Sequence, residues 1–353
     1  MHAHHVVELI GPPGLRWVEV PEPDTTAQLV VEVMAAGVSF ADLLYTQGRY
    51  QLRPTLPFAP GMDAAGVVRS APPGSGFEAG QRVAVLAAYG CWQDVITADP
   101  SWTLPLPDDM GFEAGAAAPL NYLTSLFALV RRGQAQPGEV LLVHGAAGGV
   151  GAAAIQVGRA LGLTTIAVTS DERKRAFAAG CGADHAVCGA NWREAVSEIV
   201  GAAGVDLALD PVGGDRLVDS LRLLAPEGRL LVVGFTAGEI PTVKVNRLLL
   251  GNIGVLGAAS REFFERQPAV MAELWTHYLD LRKTAALADP PVEVWPFADA
   301  RQALQAVEHR RSLGKNVLSR RTSLRCTDAT SSCASIRSSS EAARRCLMVF
   351  AMQ

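Results

Sequence analysis

The sequence predicts a mixed α/β fold, a doubly wound parallel sheet joined to a second, β-rich domain. Three observations carry that prediction. Val140 to Gly162, VLLVHGAAGGVGAAAIQVGRALG, runs from a branched apolar stretch through a glycine-rich turn into residues spaced for one helix face. Short apolar runs then alternate with helical patterns as far as Gly257, the order needed for helices on both faces of a parallel sheet. Residues before about 118 instead carry short β-rich pieces cut by proline and glycine clusters, as in a compact barrel or folded sheet.

Taken in order, MHAHH reads as a frayed end whose His2, His4 and His5 could bind a metal only adventitiously. Strands are expected at Leu29 to Val33, Ala65 to Val68 and Arg82 to Val85, punctuated by Gly11-Pro12-Pro13, Pro21 to Asp24 and Pro72 to Gly76. Val140 to His144 reads as a strand buried on both faces, and Val150, Ala154, Val157 and Leu161 as the apolar face of the helix behind it. Between them the turn reads G-x-G-x-x-G, with Ala146 in the first glycine position, then Gly148 and Gly151. A missing side chain at Gly148 lets backbone approach a pyrophosphate, and one at Gly151 lets helix and strand pack closely. Ala147, Gly148, Gly149, Val150 and Gly151 are therefore the expected cradle of a dinucleotide, at free helix-terminal N–H groups. Further strands are expected at Thr164 to Thr169, His185 to Cys188, Val205 to Leu209, Arg229 to Gly234 and Ile253 to Gly257. Helical patterns separate them at Glu172 to Ala179 and at Leu217, Leu221 and Leu224.

Composition bounds the function. The 353 residues suffice for two domains with their own cores, and 49% apolar against 19% charged residues excludes a disordered chain. No apolar run reaches the ~18 residues of a membrane span, and no leader with a charged start and apolar core is visible, so a cytoplasmic protein is expected. A net charge of −4 argues against general nucleic-acid binding. Cys91, Cys181 and Cys188 are scattered, the other three of the six cysteines crowd the last stretch, and none has metal-ligand spacing.

Specific motifs narrow this further: GVSFADLL around Ser39, LPFAPGMDAAG from Leu56, PLNYLTSLFALVRRG from Pro119, DPVGGD at Asp210, LLVVGFTAGEIP from Leu230 and GKNVL at Gly314. With GAAGGVG, they make residues 3 to 320 resemble the medium-chain dehydrogenase/reductase superfamily, in its zinc-independent quinone oxidoreductase branch. The resemblance implies a GroES-like catalytic domain from residues 1–118 and 258–321 around a Rossmann NADPH-binding domain at 119–257, and a homodimer. Residues 322–353, rich in serine, fall outside the family pattern and read as a disordered extension. Zinc-dependent relatives place a cysteine near the position of Ser39 and a histidine where this chain has Gly61-Met62-Asp63, and Cys91 stands alone where a structural zinc lobe needs four cysteines. No zinc is expected.

By the same resemblance the first loop supplies Ser39, Asp42, Tyr45 and Tyr50 to the catalytic site. Ser39-x-x-Asp42 is equally a capping box. Tyr50 matches a tyrosine that related enoyl reductases use as proton donor or substrate-orienting group, and alternatively reads as a half-buried aromatic beside Leu52 and Pro54. For the cofactor, a count from the glycines lands on Asp171, which favours the 2′-hydroxyl of NAD. The resemblance instead puts Ser170 and Lys174 at the 2′-phosphate of NADP, and the run Arg173, Lys174, Arg175 offers three cations to it, so NADPH is expected. The nicotinamide end is assigned to Asn121, Thr124, Gly234, Phe235 and Thr236. The expected reaction is hydride transfer to a quinone or an α,β-unsaturated carbonyl, small-molecule partners both. An enone or enoyl-thioester reductase, and an NADPH-binding protein with little turnover, stay open beside it.

Overall fold

The order of strands in the central sheet sets the geometry of everything that follows. In the computed structural model, which describes residues 1–23, 28–284 and 286–320, the strands are β1 His2–Val6, β2 Leu15–Glu19, β3 Leu29–Val38, β4 Asp63–Ser70, β5 Arg82–Leu86, β6 Val95–Ala98 and β7 Thr103–Pro105. They continue with β8 Val140–Val143, β9 Thr164–Thr169, β10 His185–Cys188, β11 Val205–Asp210, β12 Leu224–Val232, β13 Gly254–Gly257, β14 Val292–Pro296 and β15 Lys315–Ser319. The expectation for 322–353 lies outside the described residues. Strands β8 to β13 form a six-stranded parallel sheet in the order β10-β9-β8-β11-β12-β13. The chain leaves β8 toward one edge and returns at β11 to build toward the other. That reversal opens a crevice at the carboxyl ends of β8 and β11, where open α/β sheets bind ligands.

The helices are α1 Phe40–Thr46, α2 Phe112–Leu126, α3 Gly149–Ala160, α4 Glu172–Gly180, α5 Trp192–Val200, α6 Asp215–Ser220, α7 Asn246–Gly251, α8 Ser260–Arg266, α9 Pro268–Lys283 and α10 Ala300–Glu308. A seven-stranded sheet gathers β3, β4, β5, β6 and β7 from the first part of the chain and β14 and β15 from its last part. β15 lies antiparallel to β3, with Asn316 opposite Val38 and Ser319 opposite Ala35. Between the sheets runs α2, nearly every residue of which is buried. Its Ala116, Tyr122 and Leu126 share one apolar core with Ala35, Ala65 and Leu104 of the seven-stranded sheet, Leu141 and Val143 of β8, and Trp275 and Tyr278 of α9. The helix thus crosses the expected boundary between 118 and 119.

Three expectations are corrected. The N-terminus is not frayed: β1 pairs with β2, and His4 is buried, its Nε2 2.8 Å from the carbonyl of Phe297. Burial drives the His4 imidazole down to a pKa of about 4. β3 runs to Val38 rather than Val33, because β4, β6 and β15 all pair with it and bury it on both faces, which erases the alternation a half-exposed strand shows. The leucine pattern at 217, 221 and 224 is split, since α6 ends at Ser220 and Leu224 opens β12.

Candidate functional site

The glycine-rich turn joins β8 to α3 at the crevice. A side chain at Gly151 would stand 2.7 Å from Cα of Ala146 and closer still to the carbonyl oxygen of Gly145, so helix and turn approach as only glycine allows. A side chain at Gly149 would lie 2.6 Å from Nδ2 of Asn121. Gly148 stands at the N-cap with no side-chain cap on α3, which leaves the first-turn N–H groups to a ligand. Ala147 is tied from the other sheet: its carbonyl accepts the N–H of Gly314, 2.9 Å away, beside a bridge between Gly148 and Gly314. Opposite, at the end of β11, Asp210 accepts the N–H groups of Val212 and Gly213 at 2.7 and 2.9 Å, shaping a turn on which Gly234, Phe235 and Thr236 rest. The N–H of Thr236 donates to the carbonyl of Pro211, and Gly213 has no room for a side chain against Phe235.

At the end of β9, Lys174 Nζ stands 3.0 Å from the hydroxyl of Ser170. Asp171 caps α4, accepting the N–H of Lys174 at 3.0 Å, and that bond with the Ser170 hydroxyl holds its carboxyl below the usual range. Its carboxylate is therefore engaged within the chain. Each of the three expected cations has a partner within the chain: Lys174 Nζ lies 3.5 Å from Asp171, Arg173 donates to the carbonyl of Arg311 at 2.6 Å, and Arg175 is paired with Glu172.

In the first loop the capping box is real. Asp42 accepts the N–H and hydroxyl of Ser39 at 2.7 and 2.6 Å, and its other oxygen accepts the N–H of Gly61 at 3.0 Å. Asp42 is fully buried, which raises its carboxyl to a pKa of about 6 against the pull of Ser39. It braces α1 to the Gly61 loop and does not line a cleft. Tyr45 is likewise buried, its hydroxyl without a partner and its ring packed with Tyr50, Phe58 and Tyr89. Ser39 and Tyr50 stay half-buried. The Tyr50 ring centre lies 4.3 Å from that of Tyr45, and burial, with help from Glu262 and against Arg261, pushes its phenol up.

Thr124 stands one turn along α2 from Asn121, and from its side a pocket opens, lined by Met62, Leu86, Trp102, Leu120, Ser260 and Arg261 among others. The Thr124 and Ser260 hydroxyls are 3.1 Å apart. Trp102 escapes sequence reasoning, and Ser260 and Arg261 fall in a stretch in which it finds no legible chemistry. Ser260 to Pro268 reads as a loop that shapes the cleft, whereas Ser260–Arg266 forms α8, and no spacing ties it to Trp102. At the positions where zinc-dependent relatives bind metal, Met62 lines this pocket and Asp63 pairs with Lys315 at 2.7 Å. Among the described residues no group of three or more His, Cys, Asp or Glu is placed to hold a metal ion. None of their helices is long and apolar enough to cross a membrane.

Two family models match this chain, an alcohol dehydrogenase GroES-like domain over residues 25–108 and a zinc-binding dehydrogenase over residues 149–276. Quinone oxidoreductase-like protein 2 of Bos taurus is 34% identical over 303 residues, 85% of this chain and 87% of its own length. The chain belongs to the medium-chain dehydrogenase/reductase superfamily, in its quinone oxidoreductase branch. It is an oxidoreductase. Among solved structures, a probable oxidoreductase from Mycobacterium abscessus is 40% identical, with a TM-score of 0.83 over 90% of this chain and 98% of that one. The quinone oxidoreductase of Thermus thermophilus, solved also in complex with NADPH, is 35% identical, with a TM-score of 0.75 over 90% of this chain and 100% of that one. The mixed α/β architecture and the GroES-like part expected from the motifs stand with these neighbours.

Proposed function

We propose that this protein reduces a quinone, or a related electrophilic carbonyl, by hydride transfer in the pocket beside α2, without zinc. The observation that carries the reading is the placement of that pocket. A small, largely apolar pocket, walled in part by Trp102 and Phe264, opens at Thr124, one helical turn from the Asn121 that abuts the glycine-rich turn. The cofactor is NADPH, as in the Thermus thermophilus complex. The residues present fit it: the uncapped end of α3 suits a pyrophosphate, and Ser170 with Lys174 suits a 2′-phosphate. Asn121, Thr124 and the loop at Gly234, Phe235 and Thr236 would hold the nicotinamide end. When bound, it supplies a hydride from C4 of the ring.

What the chain contributes is placement, since aligning two bound reactants lowers a barrier by roughly 7–11 kcal/mol. Tyr50, kept protonated by its raised pKa, donates a proton to the reduced acceptor or orients it. Zinc independence is supported by the donor set: Ser39 serves Asp42, Asp63 serves Lys315, and Met62 replaces a histidine. A homodimer is supported by β13 at the sheet's edge, beside Val245, Leu249 and Leu250, each more than two-thirds exposed. We take residues 1–118 with 258–321 as the catalytic part and 119–257 as the cofactor part, since β14 and β15 join the sheet of β3.

The test is oxidation of NADPH, with NADH in parallel, against benzoquinone, phenanthrenequinone, trans-hexenal and crotonyl-CoA. Quinone turnover preferring NADPH supports the proposal. Turnover confined to the enal or thioester, lost in Tyr50→Phe, transfers the assignment to an enone or enoyl-thioester reductase, a reading favoured by the half-exposed Tyr50 at the aromatic cluster. Tight NADPH binding with no turnover of any acceptor refutes both.

A further inference from the structure

Hydride addition to a carbonyl-conjugated acceptor places negative charge on an oxygen, and an active site without a metal must meet that charge with donors or a cation already in position. Among the described residues lining the pocket, Arg261 alone is charged. Its guanidinium is held from three sides. It lies 5.4 Å from the ring centre of Trp102, its Nη1 donates to the carbonyl of Ala87 at 2.9 Å, and its Nε donates to Glu265 at 3.1 Å. Ala87 and Trp102 belong to the seven-stranded-sheet side of the chain, so this cation is fixed in the wall rather than trailing in solvent. Glu265 is the more exposed of the pair, 51% against 25%, and water weakens its hold on the charge. Nε and Nη2 both lie 3.1 Å from Glu265 and Nη1 meets Ala87, which leaves one N–H on each terminal nitrogen to meet an oxygen. The Thr124 and Ser260 hydroxyls line the same pocket.

We propose that Arg261 is a catalytic residue of the reduction, the group that stabilises the oxyanion formed on the acceptor. This rests on the reductase reading of the same pocket. The acceptor gains a hydride with its electron pair from the reduced nicotinamide, which is oxidised. The π electrons of the conjugated carbonyl move onto its oxygen, forming a hydroquinone monoanion or an enolate. A proton from Tyr50, replaced from water, or from water itself, then gives the neutral product, and Arg261 keeps its own protons throughout. Charge spread over a quinone ring needs this help less than charge confined to one enolate oxygen, so the reliance on Arg261 rises from quinone to enone.

The experiment compares wild type, Arg261→Met and Arg261→Lys in kcat and KM for phenanthrenequinone and trans-hexenal, together with NADPH affinity by fluorescence. Loss of one oxyanion donor costs about 10²–10³-fold in kcat. Arg261→Met should lose kcat in that range, more on trans-hexenal than on phenanthrenequinone. Arg261→Lys should recover at least about a tenth of it, while NADPH affinity stays within about twofold. Should Arg261→Met fail to fold, Arg261→Gln, which keeps a donor for Ala87, takes its place with the same expected loss. A kcat within about threefold of wild type in the neutral variant, or equal losses in the neutral and lysine variants accompanied by weaker NADPH binding, overturns the assignment. Wild-type inactivity toward every acceptor sinks the reductase reading itself; an active wild type with an unaffected variant sinks only the role of Arg261.

Discussion

Lys315→Met removes the cation from one of the most deeply enclosed charge pairs in the molecule. Lys315 Nζ lies 2.7 Å from Asp63 Oδ2, with the side chains 3% and 0% exposed. The backbone of β3 covers them so closely that a side chain on Gly37 would stand 2.5 Å from Cε of Lys315. Water has no route to replace the lysine. Removing one partner of a buried pair costs about 3–5 kcal/mol, because the other charge is left uncompensated. The pH dependence follows from Asp63. Burial already raises its pKa above 3.8 and Lys315 opposes the rise, so the variant's Asp63 is raised further. A folded pKa above the unfolded one means that the native state binds the proton more tightly, so acidification through that pKa stabilises the variant. Each pH unit between the two pKa values returns at most about 1.4 kcal/mol. Urea unfolding of wild type and variant at about pH 8 and about pH 5 should therefore show a deficit of several kcal/mol that narrows in acid. A deficit below about 1 kcal/mol at the higher pH, or one that does not change between the two, refutes the reasoning.

Three further outcomes are expected. Lys174→Ala should raise KM for NADPH by about 10–100-fold, the worth of a hydrogen bond to a charged group, while leaving KM for NADH within about twofold in steady-state assays. Gly151→Ala sets a methyl group against backbone at Gly145 and Ala146 that has no flexible end to yield, so calorimetry should show NADPH binding lost and unfolding a loss of about 1–3 kcal/mol. His144 is fully buried, its Nε2 2.7 Å from the Ser220 hydroxyl, and burial lowers its pKa from 6.5 to about 3. The unfolded chain takes up a proton below 6.5 that the fold refuses, so this stability is present at neutral pH and lost as pH falls toward 3. Between neutrality and about pH 4.5, wild type should lose about 2–3 kcal/mol more than His144→Gln, measured by urea unfolding at both.

The parallel sheet was legible because its strands are covered on both faces, and such strands read as uninterrupted apolar runs whose ends are turns. Thr164–Thr169 stands where the pattern puts it, and so does His185–Cys188, although that edge strand is only partly buried. β3 was not so legible, since its length depends on three partners, one of them from the far end of the chain. Within the site, the glycines carried their own steric argument, and Gly151 meets it. Motif position alone could not say that Asp42 and Tyr45 are buried, because burial is decided by neighbours such as Gly61, Phe58 and Tyr89. Nor could it say that Arg173 turns to the carbonyl of Arg311, a contact across the fold. Arg261 carries no signature at all: an arginine among glutamates on a short helix looks like any solvated face until Trp102 and Ala87 come to lie against it.

The strand that completes the seven-stranded sheet is also the last of the described strands to leave the ribosome. β3 is synthesised early, yet its partner β15 and the lysine that meets Asp63 emerge only after all six strands of the parallel sheet. Until then the nascent chain holds an open strand edge and a carboxylate without its counter-ion, both liabilities in an unfinished fold. Chains that stop short of Lys315 should therefore be caught by chaperones or aggregate, while the parallel sheet, whose strands are consecutive in sequence, has every strand it needs to close before the protein is finished.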